Sequence, residues 1–223
     1  MDKTQLNRHD LIEISATEQY RILAELQEFY QGEELIKLRE IFKGRVSIPG
    51  IVRRSEQPEP KLVALGFVHP ARCQQKRFRV ASFAYYGQIK RQLTPYNVLE
   101  LDFKAGNSCL NCLQQLSQLA KNYQLDLGVL GSAALEIVTG LKYTDCASDI
   151  DLLIKASNYE RLLTFYQAAT NITKGVKLDV EIALPNGYGI KLAELARDSN
   201  TVLGKSLRDV QLLSKKEILN FLK

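Results

Sequence analysis

The chain of 223 residues contains no tryptophan, a single methionine, two histidines and four cysteines, and it lacks any long uninterrupted apolar run. Since a membrane-spanning helix needs about 18 or more consecutive apolar residues, we expect no transmembrane segment and no membrane partner. The first ten residues also lack an apolar core, so we expect no secretory signal and a cytoplasmic location. In the cytosol the cysteines stay reduced, which argues against a disulfide-stapled fold.

The few cysteines and histidines also limit the chemistry that the chain can support. Cys109 and Cys112 have the spacing of half a zinc site, but the other two cysteines stand alone and complete no second pair. We therefore expect Cys109 and Cys112 to be small core residues on one helix face. His9 and His69 are far apart in the sequence, so we expect structural roles for them rather than a histidine-dependent catalytic triad.

The overall composition is that of an ordinary globular protein. Hydrophobic residues make up 45% of the chain and charged residues 25%, which excludes disorder as the main state. Thirty Lys and Arg against twenty-five Asp and Glu give a net charge of +5. This mild excess favours an anionic ligand or partner, and we expect no nucleic-acid partner.

The first part of the chain predicts helices followed by strands. Apolar residues at helical spacing occupy residues 15–42, and Ser15-x-x-Glu18 has the spacing of a capping box. Strands are predicted at Leu62–Val68 and Phe78–Phe83, on either side of a basic connection.

The second half alternates between helix and strand signals at a shorter spacing. Helices are predicted at 108–123, 132–139, 159–168 and 191–197 and from a capping box at Ser214 onward, and strands at 126–130, 149–154 and 178–184. Residues 86–107 show no period and are predicted to be irregular. The sequence therefore predicts an α+β protein, with an N-terminal accessory α/β domain at residues 1–100 and a second domain with the chemistry at residues 101–223.

A Gly-Ser pair and a close pair of acids carry the strongest chemical signal. Gly131-Ser132 lies where a predicted strand stops and a helix starts, and the free N–H groups of a first helical turn favour phosphate oxygens. Asp149 and Asp151 alternate along a predicted strand, so their side chains share one face at about 6–7 Å. Two converging carboxylates repel each other unless a cation lies between them. Mg²⁺, which prefers oxygen ligands, is the predicted cofactor.

A third acidic position follows on the strand predicted at 178–184. Asp179 and Glu181 share one face of that strand, and either could complete a triad with the first two aspartates. The flanking residues weakly favour Glu181 as the third metal ligand. Such a triad suits an in-line displacement at phosphorus, where metal ions neutralise charge on the attacking and leaving oxygens.

The Gly-Ser turn, the Asp-x-Asp strand and the acidic strand, in this order, resemble the nucleotidyltransferase superfamily, whose core has the polymerase-β-like fold. The chain also resembles the malonate decarboxylase holo-acyl-carrier-protein synthases, which are phosphoribosyl-dephospho-CoA transferases. The resemblance rests on Gly131–Leu135, Thr139-Gly140-Leu141 and Ser148–Leu153, and on shorter matches at Arg8–Leu11 and Val202–Lys205. This chain departs from the family at Ala134, where the family usually has an aromatic residue.

The resemblance implies a donor, an acceptor and a reaction. The donor is 2'-(5''-triphosphoribosyl)-3'-dephospho-CoA, and the acceptor is a serine hydroxyl on the acyl carrier protein subunit of malonate decarboxylase. The serine attacks the phosphorus attached to the ribosyl group, and pyrophosphate leaves. Two other hypotheses stay open: a nucleotidyltransferase that moves AMP from ATP to a small molecule or a protein, and a degenerate enzyme that only scaffolds the decarboxylase subunits.

The resemblance also implies roles for the acidic residues. Asp149 and Asp151 hold Mg²⁺ on the triphosphate. Asp179 or Glu181 bridges the metal near the attacking oxygen and assists its deprotonation.

Phosphate contacts are expected from small and basic residues. By the same resemblance, Gly131 and Ser132 hold the leaving pyrophosphate. Lys76 and Arg77, a basic pair just before a strand, and Lys205, near the C-terminus, are the candidates for the other substrate phosphates.

Overall fold

The computed structural model of the protein describes residues 5–55, 59–73 and 76–223, so residues 56–58 of a proline-containing polar loop lie outside the described residues. The described chain is mixed α+β with two sheets, which confirms the predicted class. No helix in these ranges is long and apolar enough to cross a membrane.

The first sheet belongs to the N-terminal half and is antiparallel. Its strands are β1 (Leu11–Ile14), β2 (Gly50–Val52), β3 (Leu62–Cys73), β4 (Lys76–Tyr85) and β5 (Ile89–Leu93), in the order β4-β3-β2-β1-β5. Helices α1 (Ala16–Leu26) and α2 (Gly32–Lys43) pack on this sheet. Their apolar stripes, which include Ile22 and Leu38, are buried against strand residues such as Leu65. Burial of these stripes holds the two predicted helices on the sheet.

The hairpin of β3 and β4 confirms two predicted strands and extends them. The paired residues run from Leu62↔Tyr85 to Cys73↔Lys76, with an irregularity between Val68 and Arg72. Arg72, Lys76 and Arg77 of the basic connection predicted between the strands are therefore paired strand residues.

The N-terminus of α1 uses only half of the predicted capping box. Ser15 Oγ accepts a hydrogen bond from the backbone N–H of Glu18 at 3.2 Å, as the motif predicts. The backbone N–H of Ser15 donates to Gln88 O instead of to Glu18. The Glu18 carboxylate accepts from Arg21 and from the backbone N–H of Tyr85, so it ties the helix to β4.

The prediction that residues 86–107 are irregular was wrong for part of the segment, which contains β5 and the short helix α3 (Pro95–Leu99). β5 lies at the edge of the first sheet beside β1, and only its last residue, Leu93, is buried. An edge strand exposed in this way shows no apolar alternation. Helix α3 is too short for a periodic stripe, although Thr94 and Asn97 form its capping box.

The second sheet belongs to the C-terminal half. Its strands are β6 (Leu127–Val129), β7 (Ile150–Lys155), β8 (Leu178–Ala183), β9 (Gly189–Lys191), β10 (Thr201–Lys205) and β11 (Val210–Ser214), in the order β11-β10-β9-β8-β7-β6. Its helices are α4 (Ser108–Asn122), α5 (Gly131–Thr139), α6 (Tyr159–Ile172), α7 (Leu192–Leu195) and α8 (Lys215–Phe221). β7 and β8 run parallel, and the other neighbouring strands are antiparallel.

Most of the predicted elements of this half are present, but β9, β10 and β11 were not predicted as strands. β11 is mostly exposed, and β9 has only three residues, which are too few to show an alternating pattern in the sequence. The helix predicted at 191–197 is a single turn, and Ser214 makes no side-chain cap bond at α8. Cys109 is buried and Cys112 half-buried on α4, as predicted.

Helix α3 packs on the second sheet. A Cβ on Gly128 would overlap Pro95, so the glycine in β6 lets the helix approach the strand closely. Val98 is completely buried in the core of the second half. The domain boundary near residue 100 stays a prediction.

Candidate active site

The parallel pairing of β7 and β8 brings the predicted acidic residues onto one face of the second sheet. Asp151 is the register partner of Asp179, and Leu153 is the partner of Glu181. Since side chains alternate along a strand, Asp151, Asp179 and Glu181 lie on the same face. The alternate residues, such as Leu152 and Val180, are buried in the core.

A polar cavity of about 520 Å³ lies at the start of β7, and we call it the charged cavity. Its lining combines both halves of the protein: Arg72, Lys76, Arg77, Arg79, Ser132, Ala147, Ser148, Asp149 and Asp151. The basic residues come from the end of the β3–β4 hairpin, and the acids come from the second sheet. The structure therefore brings together five residues that were predicted separately as metal ligands or phosphate contacts.

Two features of the structure favour glycine at position 131, the first residue of α5. Its φ of +61° lies in the left-handed region, which glycine adopts without strain. A Cβ at this position would also overlap Asp151 Oδ2, so a larger residue would displace the carboxylate. Ser132 follows in the first turn of α5 and lines the charged cavity. The N–H groups of that turn have no intrahelical partners and favour phosphate oxygens.

The negative charges around Asp151 disfavour its ionised form. Burial, followed by the charges of Asp179 and Asp149, raises the pKa of this carboxyl above its usual range. Two lysines offset part of the repulsion: Lys177 donates to Asp149 at 2.6 Å, and Lys191 donates to Asp179. Asp151 therefore lies beside two other aspartates, and each of those two is paired with a lysine ammonium group.

The donor set of this site suits Mg²⁺, because all of its candidate ligands are carboxylate oxygens. Asp151 lines the charged cavity, and the absence of a side chain at Gly131 leaves its carboxylate in place. Among residues 5–55, 59–73 and 76–223, no three His, Cys, Asp or Glu side chains are grouped as a metal site. Asp149 and Asp179 are each paired with a lysine, Lys177 and Lys191 respectively.

Glu181 lies two residues after Asp179 on β8, and its carboxylate has different partners. Its carboxylate contacts His9 Nε2 at 3.3 Å and Arg8 at 3.5 Å. Burial opposes its ionisation, but the hydrogen bond with His9 and the charges of His9, Arg8 and Lys205 outweigh burial and lower its pKa to about 2. Glu181 is therefore a carboxylate that basic neighbours already neutralise, in contrast to Asp151.

Arg77 is held by backbone carbonyls on the wall of the charged cavity. It donates to Pro70 O at 2.7 Å and to Tyr143 O, and its guanidinium lies 5.5 Å from the Tyr143 ring centroid. Burial, together with the nearby charge of Arg72, lowers its pKa. Lys76, in contrast, is an exposed residue at the start of β4. Arg77 thus shapes the cavity wall, while Lys76 offers an accessible ammonium group.

The loop before Asp149 is tied to both halves of the protein. Tyr143 is fully buried, and its hydroxyl donates to Val68 O in β3 at 2.8 Å. Glu136 in α5 accepts hydrogen bonds from the backbone N–H groups of Tyr143 and Thr144. These contacts fix the hairpin end against the acidic strand, which gives the charged cavity its two opposite walls.

Lys205 lies away from the charged cavity. It lines a second cavity of about 690 Å³, which we call the apolar cavity, together with Arg8, His9 and Glu181. Arg8 donates to Lys205 O at 3.1 Å. Two of the predicted site residues, Glu181 and Lys205, are therefore separated from the group around Asp151 and lie together.

Several residues of the site were not predicted. Lys177 and Lys191 contact the aspartates, and Arg79 lines the charged cavity. His9 was expected to be structural, but it contacts Glu181 and has a φ of +73°, which is unusual for a residue other than glycine. The alternation along β4 places Arg79 on the face of Arg77, whereas only the tertiary structure brings the others to the site.

Two family models match the chain and cover most of it. The model described as the Phosphoribosyl-dephospho-CoA transferase MdcG N-terminal domain matches residues 7–95. The model described as the Phosphoribosyl-dephospho-CoA transferase MdcG C-terminal domain matches residues 99–216. The second match contains Gly131, Ser132 and all four acidic candidates.

Curated relatives carry the same description. A phosphoribosyl-dephospho-CoA transferase of Xanthomonas euvesicatoria pv. vesicatoria is 29% identical over 182 residues, which is 80% of this chain and 84% of the relative. One from Bradyrhizobium diazoefficiens is 25% identical over 215 residues, which is 96% of this chain and 92% of the relative. No solved structure gives a significant match.

Proposed function

Because the chain belongs to the MdcG family of phosphoribosyl-dephospho-CoA transferases, we propose that it is a transferase that attaches the phosphoribosyl-dephospho-CoA prosthetic group to an acyl carrier protein. The proposed donor is 2'-(5''-triphosphoribosyl)-3'-dephospho-CoA, and the proposed acceptor is a serine hydroxyl of the carrier subunit of malonate decarboxylase. The observation that carries the proposal is the charged cavity, where basic residues for phosphates face the pair Asp149 and Asp151.

We propose that the second half has a nucleotidyltransferase core of the polymerase-β-like type. In support, α5 begins at Gly131 directly after β6, and the aspartates lie at the start of the next strand. The third acid comes from β8, which pairs in parallel with that strand. The same order of elements accounts for the Gly-Ser and Asp-x-Asp motifs.

In this proposal Asp149 and Asp151 hold Mg²⁺, and Asp179 is the third carboxylate. The register supports Asp179 over Glu181, because Asp179 lies directly opposite Asp151. Glu181 is already paired with Arg8 and His9. When bound, Mg²⁺ supplies Lewis-acid stabilisation of charge on the phosphate oxygens. Asp149 and Asp179 would then exchange their lysine partners for the metal, and Lys177 and Lys191 would be free to pair with phosphate.

The residues of the charged cavity bind and orient the triphosphate. The first turn of α5, at Gly131 and Ser132, holds the leaving pyrophosphate through its N–H groups. Lys76 and Arg79 lie on the opposite wall and neutralise its charge. These fixed donors stabilise the charge that develops on the leaving oxygen without reorganisation.

The transfer itself is a displacement at one phosphorus. The serine oxygen forms a bond to the phosphorus attached to the ribosyl group, and the bond from that phosphorus to the bridging oxygen of pyrophosphate breaks. The Asp179 carboxylate accepts the serine proton. The carrier protein then holds the prosthetic group through a phosphodiester.

Mass spectrometry of the carrier subunit tests this proposal directly. The purified full chain is incubated with apo carrier protein, the triphosphoribosyl donor and Mg²⁺, and pyrophosphate is measured in parallel. We expect a mass increase equal to the phosphoribosyl-dephospho-CoA group and one pyrophosphate for each modified carrier. Asp151→Asn serves as the inactive control.

Two outcomes would contradict the proposal. A carrier that stays unmodified, with the donor intact, would argue for a scaffold without catalysis. An adenylyl group added from ATP, with no transfer from the triphosphoribosyl donor, would instead favour an ATP-dependent nucleotidyltransferase.

A further inference from the structure

A third cavity, of about 930 Å³, lies where the two halves of the protein meet, and we call it the basic cleft. The first half lines it with residues of β2, β3 and β4 and of the end of α1, and the second half lines it with residues around the turn from β10 to β11. Its larger side chains include Arg8, Phe29, Arg53, Arg54, Phe83 and Lys205.

The basic cleft continues the charged cavity along β4. Arg77 and Arg79 line the charged cavity, and Ala81 and Phe83, the next two residues on the same strand face, line the basic cleft. At about 3.3 Å per residue, Phe83 lies about 13 Å along the strand from Arg79. The two cavities therefore follow one another on a single face of the β3–β4 hairpin.

The second sheet approaches the basic cleft through Glu181. Glu181 follows Asp179 by two residues on β8, and its carboxylate contacts Arg8 and His9. Arg8 and His9 both line the basic cleft. The cleft therefore lies on the Glu181 side of Asp179, whereas the charged cavity lies at the start of β7.

The stereochemistry of the proposed transfer gives the two cavities different substrates. In a displacement at phosphorus the attacking and leaving oxygens are roughly in line, so they lie on opposite sides of the phosphorus. The proposed function places the leaving pyrophosphate at the first turn of α5, in the charged cavity. The attacking serine then arrives from the side of Glu181, where the basic cleft opens.

The charges of the basic cleft favour an acidic protein surface. Its lining contains four Arg and Lys side chains against one acidic side chain, Glu25. Glu25 is itself paired with Arg21. Arg53, just after β2, is exposed. A local excess of positive charge attracts carboxylates and raises the rate of encounter with an acidic partner.

Exposed apolar side chains border the same cleft. Phe29, just after α1, is 78% exposed, and Phe83 on β4 is 46% exposed. Protein interfaces combine aromatic residues with arginine, and a few such side chains usually supply most of the binding free energy. Aromatic side chains that are this exposed in the free chain suit a protein partner that covers them, rather than a small ligand enclosed by walls.

We propose that the basic cleft is the docking surface for the carrier protein, with carboxylates beside the carrier serine on Arg53 and Arg54 and an apolar side chain of the carrier on Phe29 and Phe83. This inference rests on the proposed function, because that function supplies a protein acceptor. The cleft thereby predicts the chemistry of the carrier, whose serine is surrounded by acidic residues and at least one exposed apolar residue. The donor triphosphate and the carrier use different surfaces, which meet at Asp179.

Kinetics with each substrate varied in turn test the inference. The full chain is assayed with apo carrier protein, the triphosphoribosyl donor and Mg²⁺, and the KM of each substrate is measured separately. Arg53→Glu should raise the KM of the carrier by at least about tenfold, because a repulsive charge replaces an attractive one. Phe29→Ala should raise it by about threefold to tenfold. In both variants the KM of the donor and kcat should stay within about twofold of the wild type, because only binding of the carrier is weakened.

Arg39→Glu, at an exposed arginine on α2, is the matched control, since it changes the net charge equally and lies outside the cleft. It should leave the KM of both substrates unchanged. Isothermal titration calorimetry of each variant with the apo carrier, without donor and Mg²⁺, measures binding alone. We expect weaker binding in Arg53→Glu and Phe29→Ala and wild-type binding in Arg39→Glu.

The outcomes separate this inference from the proposed function. If the wild type transfers the prosthetic group and both cleft variants keep a normal KM for the carrier, the docking surface is wrong and the function stands. If the wild type transfers nothing from the donor but binds the apo carrier, and Arg53→Glu loses that binding while Arg39→Glu keeps it, the docking surface stands and the function fails. A raised KM for the donor with a normal KM for the carrier would assign the cleft to the donor and overturn the inference.

Discussion

The charged cavity and the apolar cavity are both lined by residues of β7, yet their carboxylates are in opposite electrostatic situations. In the charged cavity, burial and neighbouring acids raise the pKa of Asp151. In the apolar cavity, the basic neighbours of Glu181 outweigh its burial and lower its pKa to about 2. An additional cation near Asp151 would therefore stabilise its ionised form, whereas the charge of Glu181 is already stabilised by its basic neighbours. Two acids on the same face of adjacent strands thus differ in the pKa of their carboxyl groups because of the residues that surround them.

The comparison also separates two sources of positive charge. The basic residues of the charged cavity come from the β3–β4 hairpin in the first half of the chain. Those near Glu181 are Arg8 and His9, which precede β1, and Lys205 at the end of β10. The N-terminal half therefore contributes residues to both cavities.

The largest expected effect is on the charged cavity. Asp151→Asn should reduce transfer at least about a hundredfold, because a Lewis-acid metal supplies several kcal/mol and each 1.4 kcal/mol is about tenfold in rate. Single-turnover transfer to the carrier protein measures the effect, with exposed Asp198→Asn as the control. A near-normal rate in Asp151→Asn would remove the basis for a metal site there.

The next effect distinguishes the acids of β8. Asp179→Asn should lower kcat by about tenfold or more, since Asp179 faces Asp151 and is proposed to take the serine proton. Glu181→Gln should mainly raise the KM for the donor and leave kcat nearer to normal. Steady-state kinetics of both variants provide the test. Equal mild losses in the two variants would contradict the division between the cavities.

The pH dependence of stability sharpens the same contrast. The pKa of Glu181 is about 2 in the folded protein against 4.5 for the unperturbed group, so its ionisation stabilises the fold above about pH 4.5. That contribution, on the order of 2–4 kcal/mol, is lost as the pH falls toward 2. Urea unfolding should therefore show Glu181→Gln less stable than the wild type at pH 6, with the gap closing near pH 3. A gap that is constant with pH would show that charge is not the cause.

A smaller effect on stability is expected at the hydrogen bond between Tyr143 and Val68, which joins the two halves of the protein. Tyr143→Phe leaves Val68 O without its donor, so we expect a loss of about 1–3 kcal/mol in the free energy of unfolding. Chemical denaturation measures this, and exposed Tyr20→Phe should have no effect. An unchanged stability would mean that another group replaces the hydroxyl.

The smallest effect is expected at the rim of the charged cavity. Lys76→Ala should raise the donor KM by about twofold to fivefold at low salt, with less effect near ~0.5 M salt, because screening weakens exposed charges. Lys90→Ala, an exposed lysine on β5, is the control. Arg77→Ala should instead also lower stability, since two backbone carbonyls lose their donor. A Lys76→Ala enzyme with normal donor KM at every salt concentration would place the triphosphate elsewhere.

Local patterns in the sequence determined much of the second half. The alternation of residues 149–154 and 178–184 predicted both strands, and Gly131-Ser132 predicted the start of α5. These features depend on near neighbours, because strand faces and helix starts follow from spacing along the chain. Strands such as β5 and β11 lack that signal, because most of their residues are exposed.

Only the tertiary structure decided which acids lie together. Asp179 and Glu181 have nearly identical apolar flanks, so their local sequence separates them weakly. The register of β8 against β7 sets Asp179 opposite Asp151, and the packing of the N-terminal segment brings Arg8 and His9 to Glu181. For the same reason Lys205 lines the cavity of Glu181 and not the charged cavity of Lys76 and Arg77. Pairings across about 170 or more residues, such as Arg8 with Glu181, depend on strand order and packing, which leave no periodic trace in the sequence.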